Sequence, residues 1–194
     1  MLWIVWVGGI GAAVAQTAPP IVNGAPEAGF PTTVSLGADI FGERTSLCTG
    51  NLITTRLVLT AAHCTDFIPT ELLVAAGRAY VGPDIWTTDY ELPLSDRFVH
   101  PEYVELDADR GDLGAFDISV VVLESDAPIR PMWLRLEPLA ESLLDTEMVS
   151  IGFGLDENGD SGVKRSATLT LDELDPMFLL SRSRTNPDGA TICS

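Results

Sequence analysis

The sequence predicts an all-β protein, a sandwich or a barrel, and three observations lead to that fold class. Short runs rich in Val, Ile, Leu and Thr recur along the chain, as they do in strands. Gly, Pro and Asn-Gly pairs punctuate the gaps between these runs. No long stretch after residue 20 has convincing helical periodicity. Many short strands without intervening helices favour an all-β architecture.

The candidate strands follow one another along the chain without internal repeats or low-complexity tracts. They are predicted at residues 32–36, 57–60, 72–76, 118–123, 148–151 and 167–171. Turn residues lie between them at 29–31, 82–83, 158–159 and 186–189. The proline-marked stretch 128–138 is the best candidate for a linker between two halves.

Composition limits the classes of function. The chain has 194 residues and 46% of them are apolar, which allows a sizeable core and argues against disorder. Twenty-eight acidic residues face 11 basic ones, a net charge of −17. Such a surface repels phosphate backbones, so we expect no nucleic-acid partner. It is typical of a well-solvated acidic protein, and attraction of cationic substrates or metal ions is the alternative.

The amino-terminal segment predicts export. Residues 1–15 are apolar and end in Ala13-Val14-Ala15, a small-x-small cleavage signal. This run is shorter than the roughly 20 residues of a membrane-spanning helix. We therefore interpret residues 1–15 as a secretory signal peptide and residues 16–20 as a short pro-segment, with no stable membrane association after cleavage. No Lys or Arg precedes the run, and an uncleaved membrane anchor remains the alternative.

Three cysteines fit an oxidising, extracellular location but leave one without a mate. They are Cys48, Cys64 and Cys193. An odd number in an exported protein indicates one unpaired thiol within the sequence at hand. We expect the partner of Cys193 to lie outside these 194 residues.

The residues 57–64 carry the strongest chemical signal. An apolar run is followed by two alanines, then His63 and Cys64. A general base must be held rigidly within hydrogen-bond reach of its partner, and small alanines let the backbone turn tightly behind the ring. Without further context, a histidine at a strand end is more often structural.

Thr60-Ala61-Ala62-His63-Cys64 closely resembles the histidine motif of the chymotrypsin–trypsin serine proteases. Five other segments match that family in the right order, from residue 21 to residue 194. They resemble the mature amino terminus (21–24), the partner half-cystine (46–53), the aspartate motif (116–120), the glycine-aromatic-glycine strand (151–154) and the approach to the nucleophile loop (191–194).

The resemblance implies two six-stranded antiparallel β-barrels, the first within 21–127 and an incomplete second within 128–194. It implies a secreted, monomeric serine endopeptidase that hydrolyses protein or peptide substrates without a cofactor or metal. His63 takes the role of general base, and Asp117 orients it. Cys48 pairs with Cys64, and Ile21 is the mature amino terminus. His100 is interpreted as structural.

The nucleophilic serine of the family has no matching position in these 194 residues. In the family it lies in a Gly-Asp-Ser-Gly-Gly loop a few residues after the cysteine that Cys193 resembles, and this sequence reaches only Ser194. We therefore expect the 194-residue chain to be catalytically inactive and poorly stable. Residues 159–162 also read Gly-Asp-Ser-Gly, but they follow residues 152–154 too closely and lack the flanking cysteine. Their composition predicts a turn instead.

Specificity and processing depart from the trypsin-like pattern. The resemblance places Thr191 at the base of the primary specificity pocket, where a neutral residue argues against Lys or Arg and favours an apolar or small side chain. Pro20 precedes Ile21 where the family usually has Arg or Lys. Met148 stands where many members have a cysteine, so one common disulfide is excluded.

Two acidic clusters were considered as calcium sites. Residues 107–112 and 156–160 place oxygen ligands on alternate positions, but neither has the glycine and distant glutamate of a helix-loop-helix site in register. We interpret both as solvated loops. Two other classes of function stay open: a non-catalytic protease homologue that binds or regulates, and an unrelated secreted β-protein.

Overall fold

The computed structural model describes residues 21–22, 24–105, 115–156, 158–174, 179–181 and 191–192. Within them the strands are β1 (Ile21–Val22), β2 (Ala25–Pro26), β3 (Thr33–Ile40), β4 (Glu43–Leu52), β5 (Leu57–Thr60), β6 (Gly77–Val81), β7 (Tyr90–Val99), β8 (Ser119–Leu123), β9 (Glu147–Gly152), β10 (Arg165–Thr170), β11 (Glu173–Leu174), β12 (Leu179–Leu180) and β13 (Thr191–Ile192). Helix α1 spans Thr70–Ala76, and short 3-10 helices span Ala62–Cys64 and Glu141–Leu143. The predicted signal peptide, the pro-segment, Cys193 and the acidic cluster 107–112 lie outside the described residues.

Six strands form one closed antiparallel barrel in the order β3-β4-β5-β8-β7-β6. This confirms the all-β class and agrees with the barrel type that the resemblance implies. Apolar side chains alternate along the strands and fill the interior, as in β8, where Val121 and Leu123 point inward. The core cluster also includes Val34, Leu36 and Leu52.

A bulge bends β3 as it passes between its two neighbours in the barrel. The register with β4 shifts between Leu36 and Gly37. Glycine is required there, because a Cβ on Gly37 would overlap the backbone oxygen of Thr45. The close approach of β3 and β4 therefore depends on a missing side chain.

A smaller sheet joins a strand that precedes the barrel in the chain to two strands that follow it. Strands β2, β10 and β9 form a three-stranded antiparallel sheet, with Arg165 opposite Pro26 on one side and Gly152 on the other. The two-stranded pairs β1-β13 and β11-β12 accompany it. Residues 128–138, the predicted linker, have no regular secondary structure. Strands β9 and β10 of this sheet lie within residues 128–194, where the second barrel was expected. The second six-stranded barrel stays a prediction.

One predicted strand is wrong, because residues 72–76 belong to helix α1. The carbonyl of Pro69 accepts hydrogen bonds from the N–H groups of Leu72 and Leu73, which starts the helix. Leu and Ala are good helix formers, so local propensity agrees with this outcome. Leu73 is the residue of this helix that is buried. The apolar run looked like a strand because seven residues are too few to display helical periodicity.

Strands β4 and β7 were missed for two different reasons. The first half of β4 is polar and half exposed, so it lacks the apolar pattern of a core strand. Strand β7 contains Pro93, which ordinarily argues against a strand. Here Pro93 lies opposite Arg78, and its carbonyl accepts a hydrogen bond from the N–H of Glu124.

No helix among the described residues is long and apolar enough to cross a bilayer.

Candidate active site

The turn that carries His63 is built from small residues and a disulfide. Strand β5 ends at Thr60, and the chain enters the 3-10 helix of residues 62–64. Ala62 is completely buried, so the backbone packs closely behind the histidine. Cys64 is bonded to Cys48 of β4, with their Cα atoms 6.0 Å apart. The predicted disulfide is therefore confirmed, and it ties the histidine turn to a neighbouring strand.

Asp117 is presented by a tight turn just before β8. Phe116 adopts a positive φ of 51°, a left-handed conformation that is unfavourable for a residue with a side chain. The N–H of Ile118 donates to the carbonyl of Phe116 at 2.7 Å, and the N–H of His100 donates to that of Ile118 at 2.9 Å. These bonds hold the backbone so that the Asp117 carboxylate projects toward the histidine turn.

The carboxylate of Asp117 binds His63 through both of its oxygens. Oδ1 accepts the backbone N–H of His63 at 2.9 Å, and Oδ2 lies 2.7 Å from the ring nitrogen Nδ1. An ionised carboxylate accepts hydrogen bonds and donates none, so Nδ1 must carry the proton. In the neutral ring, Nε2 is then left with its lone pair. The contact fixes both the position and the tautomer of the imidazole.

A buried pair of hydroxyl groups connects the two turns. Thr65 Oγ1 lies 2.8 Å from Ser119 Oγ, and both residues are buried. Thr65 follows the histidine turn and Ser119 begins β8, so this bond fixes the histidine and aspartate segments to each other. Sequence reasoning missed it. Two hydroxyl residues, each placed two positions after a proposed site residue, were the available signal.

Aromatic stacking supports the strained residue before Asp117. The rings of His100 and Phe116 are 4.8 Å apart between centroids and nearly parallel, at 7°. His100 Nδ1 also accepts the N–H of Glu102 at 3.2 Å. His100 thus contacts its own loop and Phe116, which is consistent with the structural role predicted for it.

Tyr103 is hydrogen-bonded to His100 and lies near enough to Asp117 to be affected by its charge. Its N–H donates to the carbonyl of His100 at 3.0 Å. Burial raises the pKa of Tyr103, and the negative charge of Asp117 raises it further. The phenol therefore stays neutral at physiological pH and adds no charge beside the Asp117 carboxylate.

The His63–Asp117 pair is partly open to solvent. The side chain of His63 is 51% exposed and that of Asp117 is 42% exposed. The unprotonated ring nitrogen can accept a proton, and the adjacent carboxylate stabilises the resulting cation. The arrangement can therefore take a proton from a neighbouring group and return it. Cys48 Sγ, Cys64 Sγ and a ring nitrogen of His63 lie within 4.8 Å of one another, with both sulfurs held in the disulfide.

The family model Trypsin matches residues 21–175, most of the chain. This chain belongs to the trypsin family. The match begins at Ile21 and includes both His63 and Asp117. A search of curated proteins gives no significant match. Serine-type peptidase activity and protein or peptide substrates are what this membership indicates at the level of the family.

The Gly-Asp-Ser-Gly sequence at residues 159–162 of this trypsin-family chain forms a surface turn. Asp156 Oδ1 accepts the N–H groups of Asn158 and Asp160, at 2.8 and 3.0 Å. Gly162 donates to the carbonyl of Phe153 and accepts from the N–H of Ile85. The turn is thus built against the Phe153 and Ile85 backbone, and both Gly159 and Gly162 have positive φ angles.

Asp156 is not solvated, contrary to the interpretation of residues 156–160 as a solvated loop. It is 9% exposed, and its Oδ2 accepts a hydrogen bond from Arg165 Nη2 at 2.8 Å. The backbone N–H groups of Asp160 and Asn158 and the charge of Arg165 lower the pKa of Asp156. This carboxylate therefore organises the turn, which accounts for its oxygens without a calcium ion.

Ile21 and Thr191 lie in the strand pair β1-β13. Ile21 is opposite Ile192, and Val22 is opposite Thr191. The structure thus brings the predicted mature amino terminus beside the segment that precedes the expected nucleophile loop. Their side chains lie outside the described part of the molecule, and the family match ends before Thr191. Their roles in the amino terminus and the specificity pocket stay predictions.

Proposed function

We propose that the protein is a secreted serine endopeptidase in which His63 is the general base and Asp117 its orienting carboxylate. The nucleophilic serine would come from sequence that follows Ser194. The observation that carries the proposal is the two-point contact between the Asp117 carboxylate and His63. It leaves Nε2 unprotonated, so that its lone pair can accept a proton from a serine.

The reaction would proceed in two halves. The serine hydroxyl attacks the peptide carbonyl while His63 Nε2 takes its proton, and the imidazolium then gives that proton to the leaving amine. Water repeats the sequence on the acyl-enzyme, with its proton passing through the same nitrogen to the serine oxygen. Asp117 stays ionised throughout and stabilises the imidazolium in both halves.

The strand pair β1-β13 supports the placement of the missing loop. Ile21 lies opposite Ile192, so the amino group of a chain cleaved before Ile21 would start close to the residues that follow Cys193. In the family an aspartate of that loop receives this amino group, which avoids a buried unpaired ammonium. The same loop supplies backbone N–H groups for the oxyanion, donors of a kind worth about 100- to 1,000-fold in rate.

Specificity belongs to the same proposal. A neutral Thr191 at the pocket base would favour apolar or small side chains over Lys and Arg in the substrate. A peptide panel with varied residues before the cleaved bond tests this on an active, extended chain. A strong preference for Lys or Arg would overturn the assignment of Thr191.

Export of the chain rests on residues 1–15 and on the disulfide. The bond between Cys48 and Cys64 fits an oxidising compartment, where disulfides persist. We propose that the mature protein begins at Ile21, acts outside the cell as a monomer, and is released by an enzyme that cleaves after Pro20.

The decisive experiment compares this chain with one extended through the codons that follow Ser194. We expect peptide hydrolysis by the extended chain after cleavage before Ile21, none by the 194-residue chain, and none by His63→Ala. Ser161→Ala is the matched control, because it removes the hydroxyl of the surface turn and should leave activity unchanged.

Two other outcomes would change the proposed function. Loss of activity in Ser161→Ala would move the nucleophile to that turn. A different residue in place of the expected serine, with no hydrolysis by the folded extended chain, would favour the non-catalytic homologue that binds or regulates.

A further inference from the structure

Two sulfur atoms lie beside the ring nitrogen that the proposed mechanism uses. Cys64 Sγ is 3.6 Å from His63 Nε2, and the ligand atoms of Cys48, His63 and Cys64 all lie within 4.8 Å of one another. In the structure the sulfurs are joined in a disulfide and are not free to bind metal. Reduction of that bond would create two thiols around the base.

We propose that reduction of the Cys48–Cys64 disulfide creates a zinc site formed by the two thiolates and His63 Nε2, which withdraws the base from catalysis. The metal site stands on the geometry alone, and its inhibitory effect rests on the proposed function. No metal is predicted here from the sequence, because the resemblance assigns Cys48 and Cys64 to a structural disulfide.

The distances suit tetrahedral zinc. With Zn–S near 2.3 Å and Zn–N near 2.0–2.1 Å, tetrahedral angles require about 3.6 Å between sulfur and nitrogen and about 3.8 Å between the sulfurs. The observed distance from Nε2 to Cys64 Sγ is already 3.6 Å. The sulfurs must separate after reduction. The Cα atoms of the two cysteines, 6.0 Å apart, leave room for that by side-chain rotation.

The second shell of such a site is already present. A histidine that binds zinc usually donates its other ring N–H to a carboxylate, which fixes the tautomer and makes the ligating nitrogen more basic. Asp117 Oδ2 accepts that bond from Nδ1 at 2.7 Å. The same contact that prepares Nε2 to take a proton therefore prepares it to bind a metal ion.

Access to the site is one-sided. Cys64 is buried at 7% exposure and Cys48 is partly buried, whereas the His63 side chain is half exposed. A metal ion would enter from the histidine side and keep a water molecule as its fourth ligand on the solvent side. Two thiolates and an imidazole select zinc or another soft divalent ion over calcium or magnesium.

The chemistry balances with a dithiol as the reductant. The dithiol transfers two electrons and two protons to the disulfide, giving the thiols of Cys48 and Cys64 and the oxidised, cyclic form of the reductant. Binding of Zn²⁺ then displaces the two thiol protons. A thiol oxidant and a chelator together would restore the disulfide and the free base.

The test uses the 194-residue chain with Cys193→Ser, so that the two disulfide cysteines are the only thiols. The protein is reduced with a dithiol, freed of reductant without oxygen, and titrated with Zn²⁺ by calorimetry and with Co²⁺ by thiolate-to-cobalt absorption. We expect one ion per reduced chain, bound by two thiolates, and no such absorption from the oxidised chain. Far-UV circular dichroism checks that the reduced chain keeps its fold.

Variants distinguish a zinc site that includes His63 and Asp117 from binding by the two thiols alone. Asp117→Asn should weaken zinc binding about 10- to 100-fold through the second shell, and His63→Ala should weaken it more. Asp66→Asn changes an exposed carboxylate near the histidine turn and should have no effect. Equal affinities in the parent, His63→Ala and Asp117→Asn would overturn the proposal, whether or not the reduced chain is folded.

The experiments distinguish the absence of a zinc site from the absence of peptidase activity. Zinc binding is measured on a chain that lacks the serine, so it does not depend on peptidase activity. In an active extended chain, zinc should inhibit strongly only after reduction. Zinc binding with no peptidase activity in any extended chain would leave the site standing and remove the function.

Discussion

At the level of single residues, the Asp117 carboxylate determines the orientation and the tautomer of the His63 imidazole ring. Two oxygens hold the backbone and the ring of His63 at once, at 2.9 and 2.7 Å. The ring can neither flip nor exchange its tautomer without breaking a charge-assisted hydrogen bond. A histidine on an exposed turn thereby becomes an oriented proton acceptor.

Asp117→Asn should therefore disable an active, extended form of the chain while preserving its fold. The amide can turn its NH₂ group toward Nδ1, which would force the proton onto Nε2. We expect kcat to fall about 10⁴-fold, the size known for loss of this carboxylate in serine proteases. Steady-state kinetics checks this, with Asp66→Asn as the matched control. A loss below tenfold would contradict the orienting role.

At the level of the elements, two turns must be held in register for these residues to meet. The buried bond between Thr65 Oγ1 and Ser119 Oγ connects the histidine turn to the first residue of β8. Ser119→Ala should lower the unfolding free energy by about 1 kcal/mol, because the buried Thr65 hydroxyl loses the shorter of its two hydrogen bonds and keeps only that to the Ala62 carbonyl. Urea unfolding measures the change.

The double variant Ser119→Ala with Thr65→Val supplies the control for that prediction. Removing both hydroxyls leaves no unsatisfied partner, so its loss of stability should be smaller than the sum of the two single losses. Strictly additive losses would show that the two hydroxyls do not interact.

The barrel itself depends on the close approach of β3 and β4. Gly37→Ala should destabilise the chain by about 3 kcal/mol, since its Cβ would overlap the Thr45 backbone. Gly29→Ala is the comparison, because its Cβ meets the end of a side chain and not backbone. Glu27 Oε1, which accepts the Gly29 N–H, would have to move, so we expect a smaller loss of about 1 kcal/mol. Equal unfolding free energies for the two variants would contradict the close approach of β3 and β4 at Gly37.

Sequence reasoning succeeded for elements where a pattern is local. Strand β5 was predicted with its observed bounds because an apolar run ends at a recognisable motif. Helix α1 was predicted as a strand because its seven residues are too short to show a helical period. The contact between His63 and Asp117 joins residues 54 positions apart. Their pairing was implied by the family resemblance, and only the fold displays their distance and the supporting hydroxyl pair.

At the level of the whole molecule, a buried lysine joins the amino-terminal segment to the rest. Lys164 is the only lysine in the chain and is 1% exposed. Its Nζ donates to the backbone carbonyls of Gly29 and Phe30, at 3.0 and 3.2 Å, and lies 5.6 Å from the Phe153 ring centre. One side chain thus connects the segment after Ile21 to the smaller sheet.

Burial lowers the pKa of Lys164 from its usual value of 10.5, and this predicts a pH dependence of stability. Between the folded-state pKa and 10.5 the unfolded chain binds more protons than the folded chain. The unfolding free energy of the parent, relative to Lys164→Met, should therefore rise with pH across that window. Urea unfolding of both proteins from neutral to alkaline pH measures it. A difference that falls with pH would contradict burial of the charge.

The central claim is that His63 presents Nε2 as an unprotonated acceptor while Nδ1–H is bound to Asp117. Nitrogen-15 NMR of the imidazole rings tests it directly, because the chain has only two histidines and His100→Gln identifies the other. We predict that neutral His63 is in the Nδ1–H tautomer, with a slowly exchanging, strongly downfield proton that Asp117→Asn removes. A neutral His63 protonated at Nε2 would contradict the account.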